Sequence, residues 1–231
     1  MDKTRIYAAA IAAFGMIVAG IMIPQAVKVN RSFDRTVSVK GLCEREVKAD
    51  KAIWPLIVKV GGNDLQGVLA EVQAKNGIVR QFLEKGGIKA DEITSAISIN
   101  DKNTLEYNSD RAQRYIAKSV ITVCTQNVDA VLALMAAQNE LMAQGVTFAD
   151  DWENKTQFSF EGLNGIKPEM IEEATRNARE AAEKFAKDSD SRLGKIKTAS
   201  QGTFSITDRD SNTPQIKNIR VVTSITYQLS R

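Results

Sequence analysis

The sequence predicts an α+β protein: a mixed, mostly antiparallel sheet with helices packed on one face, preceded by a single N-terminal transmembrane helix. Three observations predict it. An uncharged apolar run, Ile6 to Ile23, stands near the N-terminus. Behind it, strand-like segments alternate apolar and polar residues, as antiparallel sheets with one open face do; parallel sheets covered on both faces read as continuous apolar runs. Between those segments, three stretches change to helical spacing.

The apolar run has 18 residues and no charge. As a helix it would reach about 27 Å, close to the hydrocarbon thickness of a bilayer. Lys3 and Arg5 precede it, Pro24 and Gln25 end it, and Lys28 follows. A cleaved signal peptide prefers a shorter apolar core, about 7–15 residues, before a small-x-small site. Ile21-Met22-Ile23-Pro24 offers no small residue and Val18-Ala19-Gly20 is a poor site, so an uncleaved signal anchor fits better. Both readings export the rest of the chain. Residues 1–29 are therefore expected to be the anchor, 30–35 a linker and 36–231 the folded domain.

Strands follow from period-two faces. Val37, Val39 and Gly41 share one, opposite Ser38 and Lys40; Trp54, Leu56, Val58 and Val60 share the next. Pro55 demotes that second strand to an edge or a bulge. Ile93, Ile97 and Ile99 make a third face, and Arg114 to Gln126 holds the β-branched run Val120-Ile121-Thr122-Val123. Trp152, Phe158 and Phe160 oppose Glu153, Lys155, Gln157, Ser159 and Glu161. Ile196, Phe204 and Ile206 come next, then the cleanest alternation, from Ile219 to Leu229.

The first helix is expected to start at the capping pair Asn63-Asp64, to carry Leu65, Val68, Leu69, Val72, Val79, Phe82 and Leu83, and to stop at Gly86-Gly87. The second starts near Asn127 to Asp129, carries Val131, Leu132, Met135, Leu141 and Met142, and stops at Gly145. Both end as glycine then an aliphatic, Gly87-Ile88 and Gly145-Val146, and an offset of 63 places Val68-Leu69 on Val131-Leu132, suggesting two related β-α-β units. The third follows Pro168 as a first-turn residue and runs to about Leu193, with Gly194 as its stop. Ile171, Ala174, Ala178, Ala181, Phe185 and Ser189 line one side, widened by Ala182 and Ala186. Glu172–Arg176, Glu180–Lys184 and Glu183–Lys187 are acid-before-base pairs four apart. Small residues permit close packing, either within its own domain or against another subunit.

Composition bounds the chemistry. The 231 residues are 43% hydrophobic and 26% charged, as in ordinary globular domains, but include no histidine. That removes Ser-His-Asp and Cys-His catalysis and imidazole metal sites. Of 31 basic and 28 acidic residues, positions 1–29 hold Lys3, Arg5 and Lys28 against Asp2. The near-neutral remainder gives nucleic acid no basic face. Asp208-Arg209-Asp210-Ser211-Asn212 opens like a calcium loop but puts Thr213 where glycine is needed, then Pro214, and Ile219 where glutamate belongs. A polar hairpin loop is expected there. Asp150, Asp151 and Glu153 form an acidic cluster without a partner motif. Cys43 and Cys124, 81 positions apart in predicted strands, read as a disulfide that export would allow or as two unpaired thiols. No catalytic, cofactor-binding or metal-binding residue is assigned.

The order of elements resembles the SIMPL-domain family, which includes bacterial periplasmic immunogenic proteins and a eukaryotic adaptor associated with a Pelle-like kinase. The resemblance rests on Val37-Ser38-Val39-Lys40-Gly41, on Phe82-Leu83-Glu84-Lys85-Gly86-Gly87-Ile88 followed by Asp91-Glu92-Ile93-Thr94, and on Tyr115-Ile116-Ala117. Ala174, Ala178-Arg179, Ala182-Glu183, Ala186 and Leu193-Gly194-Lys195-Ile196 complete it, over residues 36–206. The chain departs at Cys43, where such sequences often place glycine. The resemblance implies an α+β domain, export in bacteria, homo-oligomers of ring or channel form, and a role linked to envelope integrity and oxidative stress. It supplies no catalytic residues.

The expectation is thus a non-enzymatic protein held in the bacterial inner membrane by residues 6–23, whose periplasmic domain self-assembles without cofactor or nucleic acid. Ile53 and Ile57, beside Pro55, are the expected contact surface, being less polar than a free face should be. A monomeric binding or adaptor module for a peptide or ligand is the first alternative, and a hydrolase using Asp150 and Asp151 the second.

Overall fold

The alternation in the sequence resolves into two sheets instead of the one expected. The computed structural model describes residues 13–18, 20, 22, 35–104, 112–149 and 152–230. From residue 35 on, the described elements are β1 (Thr36–Lys48), β2 (Lys51–Gly62), α1 (Leu65–Lys85), β3 (Ile93–Asp101), β4 (Tyr115–Thr125), α2 (Val128–Ala136), α3 (Asn139–Ala143), β5 (Gln157–Ser159), α4 (Leu163–Asp188), β6 (Arg192–Gln201), β7 (Ser205–Asp208) and β8 (Ile216–Ser230). One sheet has the order β1-β8-β6, with β7 also pairing β8; the other has the order β3-β4-β2-β5. The chain divides into two units: one takes residues up to Arg45, Ile166–Ser205 and those from Ile219, the other Glu46–Gly165 and Ile206–Asn218. Most of the expected span 6–23 lies outside the described residues; positions 13–18, 20 and 22 are helical and exposed. Among the described residues no helix is long and apolar enough to cross a membrane.

The unit centred on β2 is a pair of interleaved β-α-β motifs. β2 runs antiparallel to β4 and to β5, and β3 antiparallel to β4. So β2-α1-β3 and β4-α2-α3-β5 are each a parallel pair with one strand of the other motif between them, the split β-α-β arrangement. Asp64 caps α1 by accepting from the Gly67 N–H, and Asn127 caps α2 by accepting from Ala130. The two crossovers end alike. Gly87 (φ 90°) and Gly145 (φ 79°) are left-handed. Ile88 N–H bonds Leu83 O at 3.1 Å, and Val146 N–H bonds Leu141 O at 3.0 Å. These are Schellman caps, and each sends its following aliphatic into the core, where Ile88 and Val146 are buried. Trp54, Leu56, Val58 and Val60 pack there against Val68, Val72, Val79, Phe82 and Leu83 of α1. Each large side chain so buried contributes about 1.5–3 kcal/mol.

In the other unit α4 lies on the β1–β8 face. The stripe it buries is Met170, Ala174, Ala178, Ala182 and Ala186, strictly four apart. Gly41 of β1 is essential to this fit, because a Cβ there would stand 1.8 Å from Ala174 O and 2.8 Å from Ala178 Cβ. The small residues thus pack within their own unit, whereas Phe185, assigned to that face from sequence, is 60% exposed. Ion pairs also differ from the expected set: Arg179 pairs with Glu183, and Arg45 of β1 reaches Glu169 at 2.8 Å and Glu173 at 3.3 Å.

The boundaries of α4 need correction at both ends. Pro168 lies inside the helix, which begins five residues earlier at Leu163. The backbone N–H groups leading into that start, those of Glu161 and Gly162, both bond the Asp50 carboxylate at 2.7 Å. The stop is Asp188, not Gly194. Asp190 takes the left-handed conformation (φ 47°), and Ser191 N–H closes a Schellman bond to Ala186 O at 2.8 Å. Aspartate tolerates this region through its short polar side chain, so no glycine announces the end. Leu193 and Gly194 instead begin β6.

Candidate functional site

Each sequence-derived candidate has a definite place. Cys43 is buried on β1, with Glu173 and Arg45 beside it. Burial, then the hydrogen bond to the Glu173 carboxylate, pushes the Cys43 thiol above its usual range. The same hydrogen bond, with Arg45, holds the Glu173 carboxyl below its usual range. A thiol that stays protonated and out of solvent is a poor nucleophile. Cys124 is exposed on β4, and both cysteines are free.

The loop from Asp208 to Ile216 joins β7 to β8, the expected polar hairpin. Asp210 organises it. Its Oδ1 accepts from the Asn212 and Thr213 backbone N–H groups, each at 2.8 Å, and its carboxylate also receives the Thr213 hydroxyl and Arg209. Those hydrogen bonds, Thr213 first, lower its pKa to about 2. The carboxylate oxygens are spent on the turn. Among the described residues no three His, Cys, Asp or Glu side chains converge as metal ligands. Asp150 and Asp151 lie outside the described residues.

The surface expected at Ile53, Pro55 and Ile57 changes character. Ile57 is buried, not exposed, because residues Phe148–Ala149 run along this edge of β2. Ala149 N–H bonds Ile57 O at 2.9 Å. Backbone groups of an antiparallel strand alternate sides, so the Ile53, Pro55 and Ile57 groups face this edge and those of Trp54 and Leu56 face β4. That explains Pro55: its missing N–H falls on the side away from β4, where no ladder bond is lost. β5 pairs with β2 only from Lys51 to Ile53. Among the described residues no backbone pairs with this edge at Pro55.

A cleft of about 530 Å³ lies beside Pro55, lined by β2, by Phe148 and Ala149, and by the turn carrying Trp152. Sequence alternation placed Trp152 in a strand with Phe158 and Phe160. Of that segment Gln157–Ser159 is the strand: Trp152 to Asn154 turn and bend before it, and after it the Asp50 carboxylate takes the Glu161 and Gly162 N–H groups. Trp152 is 80% exposed at the cleft rim. Gln138, Asn154, Lys155 and Thr156 add polar groups to the wall. Sequence reasoning did not find this cleft; its one signal was tryptophan within a polar, glycine-free loop.

No curated protein matches the chain. A family model described as SIMPL, protein of unknown function (DUF541), matches residues 37–227. That match covers the first strand, both β-α-β motifs, the alanine-striped helix and nearly all of the last strand, and on it the chain belongs to the SIMPL family.

Proposed function

We propose that the chain is a non-enzymatic bacterial envelope protein, anchored in the inner membrane by residues 6–23, whose periplasmic domain self-associates. The uncharged apolar run at 6–23 supports anchoring. The absence of histidine and the mutual hydrogen bonding of Cys43 and Glu173 favour a role without turnover. A place in the envelope's stress response is part of the same reading.

The observation that carries self-association is β6. It has ten residues, of which only Leu193 is not exposed, and among the described residues it pairs with β8 alone. An open edge offers unpaired N–H and C=O groups to another chain. Ile196 on this strand is 53% exposed, and Phe185 on α4 adds apolar surface in the same unit. Two register shifts interrupt β6 between Leu193 and Thr198, in the stretch that carries Lys195 and Lys197. Such bulges and charges discourage indiscriminate strand addition, so the edge suits a matched partner.

Crosslinking in intact cells, followed by sizing and mass spectrometry of the full chain, tests this. Self-crosslinked species that disappear in Ile196→Asp, with unchanged circular dichroism, are expected. A chain that gives no self-crosslinks and sizes as a monomer in detergent overturns the proposal.

A further inference from the structure

We infer that neighbouring copies join head to tail through unlike surfaces: Phe185 of one copy fills the groove between α4 and β6 of the next. The inference rests on the self-association read from β6 and names the surface that meets it. The buried alanine row of α4 has a flank on either side. On one flank, Glu173 and Asn177 reach β1, at Arg45 and at the Leu42 carbonyl. Ala181 and Phe185 continue that row at four-residue spacing, and Phe185 is 60% exposed. On the other flank, Thr175, Arg179 and Glu183 line a groove of about 440 Å³ with Leu193, Ile196 and Tyr227. One side of the helix thus carries an apolar knob, and the opposite side a groove with apolar residues in its wall.

Strand addition supplies the geometry. Among the described residues this sheet ends in β6 on one side and in β1 on the other. Leu229 N–H bonds Arg35 O just before β1, and Ala49 N–H bonds Gln215 O just after it, so β1, like β6, runs antiparallel to β8. β6 of one copy can therefore pair in parallel with β1 of the next. That pairing sets the helices of the two copies side by side with unlike flanks facing, whereas β6 on β6 would set groove against groove. Three strands at about 4.8 Å each place the helix axes about 14 Å apart. Helices in direct contact lie about 8–10 Å apart, so a gap remains over β6 that a large side chain must fill. Phe185 is that side chain, and Tyr227 offers it a ring to pack on. Charge agrees: Asp188 stands one turn after Phe185, and Lys195 adjoins Ile196 in the groove. Neither has an ion pair among the described residues.

The test uses the full chain in detergent, with crosslinking, sizing and mass spectrometry of two variants, alone and mixed. Phe185→Asp breaks the knob and keeps the groove; Ile196→Asp breaks the groove and keeps the knob. Each alone should associate at least about tenfold more weakly than the parent, with unchanged circular dichroism. Mixed, each has the surface that the other lacks, so dimers holding one chain of each kind are expected, and nothing larger. Asp188→Lys should weaken assembly severalfold, and adding Lys195→Asp should restore it. If Phe185→Asp assembles as the parent does while Ile196→Asp does not, the inference falls and self-association through β6 stands. If both variants stay monomeric and mixing restores nothing, the head-to-tail arrangement falls. If Ile196→Asp assembles as the parent does, both fall.

Discussion

The two units solve one packing problem, a helix on a sheet, in opposite ways. Against β2 and β4, α1 inserts Val68, Val72, Val79, Phe82 and Leu83, and the sheet answers with Trp54, Leu56 and Ile121. Against β1 and β8, α4 offers almost nothing but alanine, and the sheet answers with Gly41. Interlocking large side chains gains stability from buried apolar area. Close approach of backbones gains it from dense contact that leaves no room for another atom. The first kind of core is harmed by removing atoms, the second by adding them.

Reciprocal substitutions test that contrast. Leu83→Ala, at a fully buried site, should cost about 2–5 kcal/mol in denaturant unfolding, through lost transfer energy and a residual cavity. Gly41→Ala adds one methyl and should cost about 1–3 kcal/mol or more, because the new Cβ meets the α4 backbone rather than a movable side chain. A Gly41→Ala protein as stable as the parent would end the close-packing account.

The cysteines sharpen the comparison, since each unit carries one. In the native protein an alkylating reagent should modify exposed Cys124 promptly and leave Cys43 intact. Cys43 should react only as its unit opens, and faster in Gly41→Ala, while Cys124 keeps its rate; mass spectrometry of timed samples reads both. Equal native rates would mean that β1 and α4 do not close over the thiol. The smallest effect is expected at the end of α4. Asp190→Gly removes a left-handed aspartate and should stabilise by about 0.5–1 kcal/mol, seen as a small rise in midpoint.

Legibility followed the same divide. In the β2 unit the starts at Asp64 and Asn127 and the glycine stops at Gly87 and Gly145 were readable, because these residues act on backbone groups a few residues away, but the single helix expected between Asn127 and Gly145 is broken at Ala137-Gln138 into α2 and α3. The related β-α-β motifs were also visible, in the repeated Gly-aliphatic ending. For α4 the reading failed at each end, because its start is served by Asp50, more than a hundred residues earlier, and its stop by an aspartate in a glycine-like role. Its small-residue stripe was visible as a pattern, but which four-spaced set faced inward depended on Gly41. The strand predicted through Ile196, Phe204 and Ile206 became β6 and β7, two strands along β8.

The candidate sites divide similarly. The hairpin at Asp210 could be read from spacing alone, because its hydrogen bonds are local. The cleft at Trp152 could not, because its walls come from β2, the stretch before α3 and the turn before β5. By itself the sequence determined an α+β chain of alternating strands and three helical regions, with the caps of those in the β2 unit, and no histidine-based chemistry. Those properties depend on residue type and on neighbours within a turn or two. The tertiary structure alone decided that the strands form two sheets, that Pro55 turns its missing N–H away from β4, that Cys43 is closed off and that Trp152 stands in solvent. Each depends on which distant backbone occupies the next hydrogen-bonding position, and periodicity in one segment carries no information about that partner.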